Sequence, residues 1–354
     1  MSVENRRHFG VADGLSDPAK TNAFATDTTA PIATLSGRPL LANRGIPLNL
    51  DWVRQVRVNT SAVERRAQSH VARRTVKKNW QAAWLLRSIT CMDLTTLSGD
   101  DTEDRVRRLC AKAQHPIRED VANRLGIEEL DLKVAAVCVY HTFVETAVRA
   151  LEGSGVRVAA VSTGFPAGLS PLTERVAEIH RSVEAGAHEI DVVITRAHVF
   201  GGRWQALYDE IAAFRQACGS AHMKVILGAG DLITLRNVAR ASFVAMMAGA
   251  DFIKTSTGKE PTNATLPVGF VMTRAIREFA QETGMAVGFK PAGGIRTAKQ
   301  SIEWLALMKE ELGTSWMRAE LFRFGASSLL NDIERQLEHH ATGRYSADYR
   351  HPIA

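Results

Sequence analysis

Eight short apolar runs, each closing on small or polar residues and each followed by a helix-length amphipathic stretch, predict an α/β fold. The expected architecture is a (β/α)8 TIM barrel with an N-terminal helical extension. The starts of successive runs lie 45, 24, 31, 35, 28, 35 and 35 residues apart, the length of a strand, a crossover helix and two short loops. Strictly alternating units of this kind build a parallel sheet, and eight of them close on themselves. A doubly wound open sheet shares the alternation. It is disfavoured because no GxGxxG follows the first run and because polar residues recur inside every run instead of gathering at one crevice.

Taken in order, residues 1–47 are rich in Ser, Thr, Ala, Asn, Gly and Pro without apolar periodicity and read as a disordered extension, with order expected from Leu48. Residues 48–87 read as a helical segment packing on the barrel. Within it Val63, Ala67, Val71, Val76, Trp80 and Trp84 recur at helical spacing, as one or two amphipathic helices. The barrel domain is expected over 88–345. Its strand runs are SITCMDL (88–94), KVAAVCVY (133–140), RVAAVSTGF (157–165), HEIDVVIT (188–195), MKVILGA (223–229), DFIKTST (251–257), AVGFKPAGG (286–294) and LFRFGASS (321–328). Residues 346–354 are expected to form a flexible tail.

Composition narrows the function classes. The 354 residues carry 44 Lys+Arg against 38 Asp+Glu, a net charge of +6, with 45% apolar residues, which is ordinary for a soluble protein. No apolar run reaches a membrane-spanning length, and the charged start MSVENRRHFG is unlike a secretory signal. Cys91, Cys110, Cys138 and Cys218 lie far apart without a CxxC pair, as expected of reduced thiols in the cytoplasm. The histidines show no HExxH or HxH spacing, so no metal site is expected.

Side chains alternate along a strand, and the outer face of a barrel strand must be apolar to receive its helix. That rule points Asp93, Cys138, Glu189, Asp191, Lys224, Lys254 and Lys290 inward. A barrel built for stability alone fills its interior with Val, Ile and Leu, so six inward ionisable groups indicate function, unless three acids and three lysines merely neutralise one another. The placement of the lysines favours chemistry. Lys254 and Lys290 belong to consecutive runs, on strands about 4.8 Å apart. Burial and mutual repulsion both favour a neutral amine, and lowering a lysine from about 10.4 to about 7 takes about 4.6 kcal/mol. A neutral amine attacks carbonyls to form a Schiff base, an electron sink for breaking or making an adjacent C–C bond. Asp191 faces the same cavity and can move protons.

After the seventh and eighth runs stand PAGGIRT (291–297) and FGASSLLND (324–332), whose small residues let backbone N–H groups approach an anion at a helix N-terminus. Gly293-Gly294 could be a plain turn and Ser327-Ser328 a simple helix cap. Together, at adjacent strand ends, they favour a phosphorylated substrate.

FIKTSTGK (252–259), GFKPAGGIRT (288–297), FRFGASSLL (322–330), DLTTLSGDDT (93–102), VCVY (137–140), GFPAG (164–168) and EIDVV (189–193) resemble the deoxyribose-phosphate aldolases, class I aldolases on a TIM barrel. The resemblance runs from about residue 50 to about 345, and WVRQV and RRTVKKNWQAAWLL are similar to the longer eukaryotic-type members. It implies reversible cleavage of 2-deoxy-D-ribose 5-phosphate to acetaldehyde and D-glyceraldehyde 3-phosphate, with no metal or organic cofactor, by an enzyme that is often a homodimer. It further implies that Lys254 forms the Schiff base, that Lys290 lowers its pKa and that Asp191 transfers protons. Gly293, Gly294, Ser327, Ser328 and Lys259 would hold the phosphate, and Asp93 and Thr95 would orient the sugar hydroxyls. Gly228-Ala229 stands where the family has a Glu-Thr pair, and His141 where it has proline. The chain ends HPIA without the terminal tyrosine of some members, leaving Tyr345 or Tyr349 as substitutes.

Two rivals remain at this stage. One is another Schiff-base aldolase of the transaldolase or ketose-phosphate kind, with lysine and acid on different strands. The other is a nucleic-acid-binding module using Arg65, Arg66, Arg73, Arg74, Lys77, Lys78 and Arg87. The blander account of that basic stretch is a solvated helix closing the lower end of the barrel, and no nucleic-acid-binding signature argues otherwise.

Overall fold

The computed structural model describes residues 42–73 and 76–352. Eight parallel strands run in the order β7-β6-β5-β4-β3-β2-β1-β8. They are β1 (Met92–Thr95), β2 (Ala136–Tyr140), β3 (Arg157–Ser162), β4 (Glu189–Val193), β5 (His222–Ile226), β6 (Phe252–Lys254), β7 (Gly288–Lys290) and β8 (Phe324–Ala326). Single bridges, Phe289 to Phe322 and Ala292 to Gly325, join β7 to the β8 segment, so the sheet closes as the (β/α)8 alternation predicts.

The helices are α1 (Leu50–Gln55), α2 (Thr60–Arg73), α3 (Lys78–Thr90), α4 (Glu103–Gln114), α5 (Glu119–Leu125), α6 (Val144–Ala150), α7 (Leu172–Glu184), α8 (Arg196–Phe200), α9 (Trp204–Cys218), α10 (Leu235–Met247), α11 (Leu266–Thr283), α12 (Ala298–Leu312) and α13 (Leu329–Thr342). Ser88–Thr90, read as the start of the first strand, complete α3. The strand itself begins at Met92.

The basic stretch forms two helices, and they do not close the barrel's lower end. α2 lies against α11 and α12, and α3 against α12 and α13, outside the ring. The reason is legible in their apolar stripes: Val63 and Ala67 of α2 and Ala82, Leu85 and Leu86 of α3 are buried among the outer helices. His70 Nε2 meets the carbonyl of Glu303 at 2.9 Å, and Arg66 pairs with Glu310 at 2.6 Å.

The chain is packed before Leu48, where order was expected to begin. Asn43 is buried, its backbone N–H donates to Asp251 at 2.7 Å, and its side chain donates to the carbonyls of Met246 and Ala250. Residues 1–41 of the expected extension lie outside the described residues. The expected flexible tail is likewise held as far as His351. That ring is fully buried, 2.7 Å from Glu338 Oε2 and 2.9 Å from Ser346 Oγ, and its carbonyl accepts from Asn331. The carboxylates that hold His351, Glu334 and Glu338, lie on α13 and cannot be seen in the sequence of the tail itself.

Inside the barrel, packing is fitted to the charged side chains. A Cβ on Gly288 would lie 2.4 Å from the ring of Phe252, whose face is turned toward the guanidinium of Arg323 at 5.8 Å. Gly288→Ala is therefore expected to lower stability by about 1–3 kcal/mol in urea titration, since this closed core has no room for the ring to yield.

Candidate active site

Alternation along the strands brings the inward residues together as expected. Glu189 and Asp191 come from β4, Lys224 from β5, Lys254 from β6, Lys290 from β7 and Asp93 from β1, all buried. Asp191 is the hub. Its Oδ2 accepts from Lys254 Nζ and from Lys290 Nζ, each at 2.8 Å, and its Oδ1 accepts from Lys224 Nζ at 2.9 Å. Lys224 also pairs with Glu189 at 2.5 Å, and Lys290 also donates to Asp93 Oδ2.

A fourth cation was missed. Arg323, one residue before β8, is buried and donates to Asp93 Oδ1 at 2.5 Å and to both oxygens of Glu189 at 2.8 and 3.1 Å. The alternation rule applied to LFRFGASS puts Arg323 and Gly325 on one face, opposite Phe322 and Phe324, so the signal was present. Gly325 leaves the space through which Lys290 extends, since a Cβ there would lie 3.2 Å from Lys290 Cε.

These pairings set the protonation states. Burial alone would raise the pKa of Asp191, but Lys224, Lys254 and Lys290 outweigh it and hold the carboxyl well below the usual range. Burial likewise fails to keep Asp93 and Glu189 protonated, because Lys290 and Arg323, respectively, lead the cations around them. Among the lysines the outcome divides. Burial disfavours the charge on Lys290 and Lys224, yet Asp191 with Asp93 or Glu189 more than compensates and both are raised. The expectation that burial and repulsion act alike on both members of the pair therefore fails for Lys290. Lys254 touches one carboxylate only; burial, helped by Lys290, pushes it down.

Above this floor opens a cavity of about 280 Å³ that reaches Lys254. Thr95, Lys259, Gly293, Gly294, Ser327 and Ser328, all singled out from the sequence, line it, joined by Ser98 and Arg296, which were not. Asp93, Asp191 and Lys290 lie outside the lining. Asp93, expected to orient sugar hydroxyls, instead spends its two oxygens on Arg323 and Lys290, so on β1 only Thr95 faces the cavity. Gly293 and Gly294 adopt φ of 82° and 83°, a left-handed backbone that glycine accommodates, and a Cβ on Gly293 would lie 2.6 Å from Asn263 Cγ. Ser328 stands at the N-cap of α13 but makes no side-chain capping bond, which removes the simple-cap alternative. Tyr345 and Tyr349 are 82% and 83% exposed, and neither lines the cavity.

The two departures have local reasons. Gly228 has φ of 63°, and a Cβ there would lie 2.3 Å from Arg196 Nε. Arg196 in turn holds Glu260 at 3.1 Å, and Glu260 accepts from Thr257 N, Thr257 Oγ1 and Gly258 N, fixing the turn that carries Lys259. His141 Nδ1 lies 3.3 Å from Glu178 Oε1, whose other oxygen accepts from Gly164 N, so it ties the loops after β2 and β3 together.

Among the described residues no group of three or more His, Cys, Asp or Glu side chains could hold a metal ion, and no helix is long and apolar enough to cross a membrane. All four cysteines are unpaired and buried.

Comparison with known proteins bears on the family and the fold. The chain is 58% identical over 314 residues to a protein of Homo sapiens named deoxyribose-phosphate aldolase, covering 88% of this chain and 99% of that one. Among solved structures it is similar to a putative deoxyribose-phosphate aldolase from Coccidioides immitis (25% identity, TM-score 0.57, 77% of this chain and 97% of that one). It is also similar to the deoxyribose phosphate aldolase of Aeropyrum pernix, described as a unique tetramer (25% identity, TM-score 0.53, 78% and 97%). The family model for DeoC/LacD family aldolases matches residues 87–335, the stretch that builds both the strands and the charged floor. This chain belongs to the DeoC/LacD family of aldolases.

Proposed function

We propose that the chain reversibly cleaves 2-deoxy-D-ribose 5-phosphate to acetaldehyde and D-glyceraldehyde 3-phosphate through a Schiff base on Lys254. The observation that carries this reading is the shared oxygen of Asp191, in contact with Lys254 and Lys290 at 2.8 Å each beneath a cavity lined by Lys259, Gly293, Gly294, Ser327 and Ser328. The Lys254 amine attacks the aldehyde carbon C1 of the open sugar, and the carbinolamine loses water to give the protonated imine. The proton of the C3 hydroxyl passes through a water to Asp191 beneath the cavity and the C2–C3 bond breaks, its electron pair passing into the imine to form an enamine. Glyceraldehyde 3-phosphate leaves, the enamine takes a proton at C2, and water releases acetaldehyde and the free amine. Lys290, charged and bonded to both Asp93 and Asp191, favours the neutral form of Lys254.

The phosphate is assigned to Gly293, Gly294, Ser327, Ser328 and Lys259. Lys259→Met is expected to raise KM for the phosphorylated sugar by about tenfold or more, the worth of one hydrogen bond to a charged group, while the trapped adduct still maps to Lys254. The reading places the enzyme in the cytoplasm, in keeping with four unpaired cysteines, and as a homodimer, to be checked by light scattering. Metal, organic cofactor and nucleic acid play no part in it.

The deciding experiment is incubation with 2-deoxyribose 5-phosphate and borohydride followed by peptide mapping. An adduct on Lys254 is the expected result. Folded protein with no modified lysine would overturn the reading.

A further inference from the structure

The interior of the barrel holds an odd number of charges. Asp93, Glu189 and Asp191 supply three carboxylates, and Lys224, Lys254, Lys290 and Arg323 supply four cations, all buried. A buried cluster is most stable when neutral, and a lone unbalanced charge there is the costly element. One cation must therefore give up its proton, and the four are not equal candidates. A guanidinium stays charged at any accessible pH. Lys290 contacts two carboxylates, and Lys224 contacts Asp191 and Glu189 with Asp93 at 3.6 Å, whereas Lys254 has only the Asp191 oxygen that it shares with Lys290.

Without Arg323 the same interior would contain three carboxylates and three lysines, and it would be neutral with Lys254 protonated and unreactive. We propose that Arg323 is a positioning residue for the aldolase reaction: by balancing Asp93 and Glu189 it leaves Lys254 as the one cation the barrel does not need charged. The proposal deepens the functional reading above and rests on Lys254 being the nucleophile.

The other titratable and charged groups around this cluster do not upset the balance. Cys138 on β2 is held neutral, because burial raises its thiol. His222 at the start of β5 is pushed toward the neutral ring by burial. Arg157 on β3 reaches Glu189 at 3.7 Å, but its side chain is 44% exposed at the lower mouth, where water screens it. Lys259 lines the cavity above and is exposed to solvent, which screens it.

The test is the pH dependence of reductive trapping of 2-deoxyribose 5-phosphate at Lys254 by cyanoborohydride, mapped by mass spectrometry between about pH 5 and 9, where the amine's protonation sets the acid limb. Arg323→Met is expected to move that limb up by about one pH unit. Arg323→Lys keeps the charge and should leave the limb near its original position. Glu189→Gln removes a negative charge and should move it down by a similar amount. The double variant Arg323→Met/Glu189→Gln restores the balance and should return the limb, which a purely structural role for Arg323 would not do. A folded Arg323→Met protein with an unmoved limb overturns the proposal. If that variant does not fold, an unmoved limb in Glu189→Gln overturns it equally. Wild-type protein that forms no adduct at Lys254 overturns the parent reading and this one with it, whereas wild-type trapping with unresponsive variants overturns this one alone.

Discussion

Lys254→Leu is expected to abolish cleavage of 2-deoxyribose 5-phosphate, with kcat falling by about 10⁴-fold or more, the scale on which removal of a covalent nucleophile acts. The loss is large because no neighbouring group can substitute. Lys290 and Lys224 are fully enclosed and held charged by two or more carboxylates each, so neither offers a lone pair to a carbonyl carbon. Lys254 alone among the interior lysines both lines the cavity and is pushed toward the neutral amine. The fold should be untouched, because leucine fills the buried stem and the removed charge is the one the interior least requires. A coupled assay for glyceraldehyde 3-phosphate measures the rate, and denaturant titration measures the stability. A variant that retained even a hundredth of the activity would place the Schiff base on another lysine.

Asp191→Asn should damage both function and fold. Three lysines lean on this carboxylate, two of them held charged, and an amide cannot balance them, so about 3–5 kcal/mol of stability is expected to go, as when one partner of a buried ion pair is removed. Cleavage should fall by about 10²–10⁴-fold, the usual worth of a positioned acid/base. The pH dependence has a definite sign. Because the folded protein holds the Asp191 pKa well below its unfolded value of about 3.9, the stabilisation is complete above that pH and is lost as pH falls toward the folded value. The Asn variant lacks this contribution at every pH. Its stability near neutrality should therefore be lower than that of the wild type, and the gap should narrow in acid. A gap that is constant from neutrality into acid would show that the carboxylate is not the ionised hub.

Most of this floor could be read directly from the sequence. Alternation fixes the face of a side chain, and it put Asp93, Glu189, Asp191, Lys224, Lys254 and Lys290 inside correctly. What alternation does not fix is height along the barrel axis, which depends on the stagger between strands. The sugar-hydroxyl role of Asp93 rests on the resemblance alone, and the height of that residue places its two oxygens in the floor, on Arg323 and Lys290. Arg323 itself was overlooked because it precedes a three-residue strand flanked by phenylalanines, where the apolar neighbours dominate the reading. The short strands β6, β7 and β8 also ran longer in the sequence than in the fold, since their last residues bend away to line the cavity. The helical extension was found, but its docking face was not, because a barrel offers apolar surface both beneath it and around it.

The cavity is assembled from two sources. Its floor is carried by strand residues bound to one another through Asp191, Asp93 and Glu189, while its rim comes from the turns that follow β1, β6, β7 and β8. Apart from Lys254, a floor residue that varies alone unbalances its charged partners in a dry interior, at a cost that only a compensating second change restores. Rim residues such as Ser98, Lys259, Arg296 and Ser328 have no such tie to the lysines. A randomised library confined to those rim positions should yield many folded, amine-active variants with altered choice of aldehyde, whereas one spread over the floor should yield almost none. The barrel in effect separates what the enzyme does from what it does it to, and selection can act on the second while leaving the first in place.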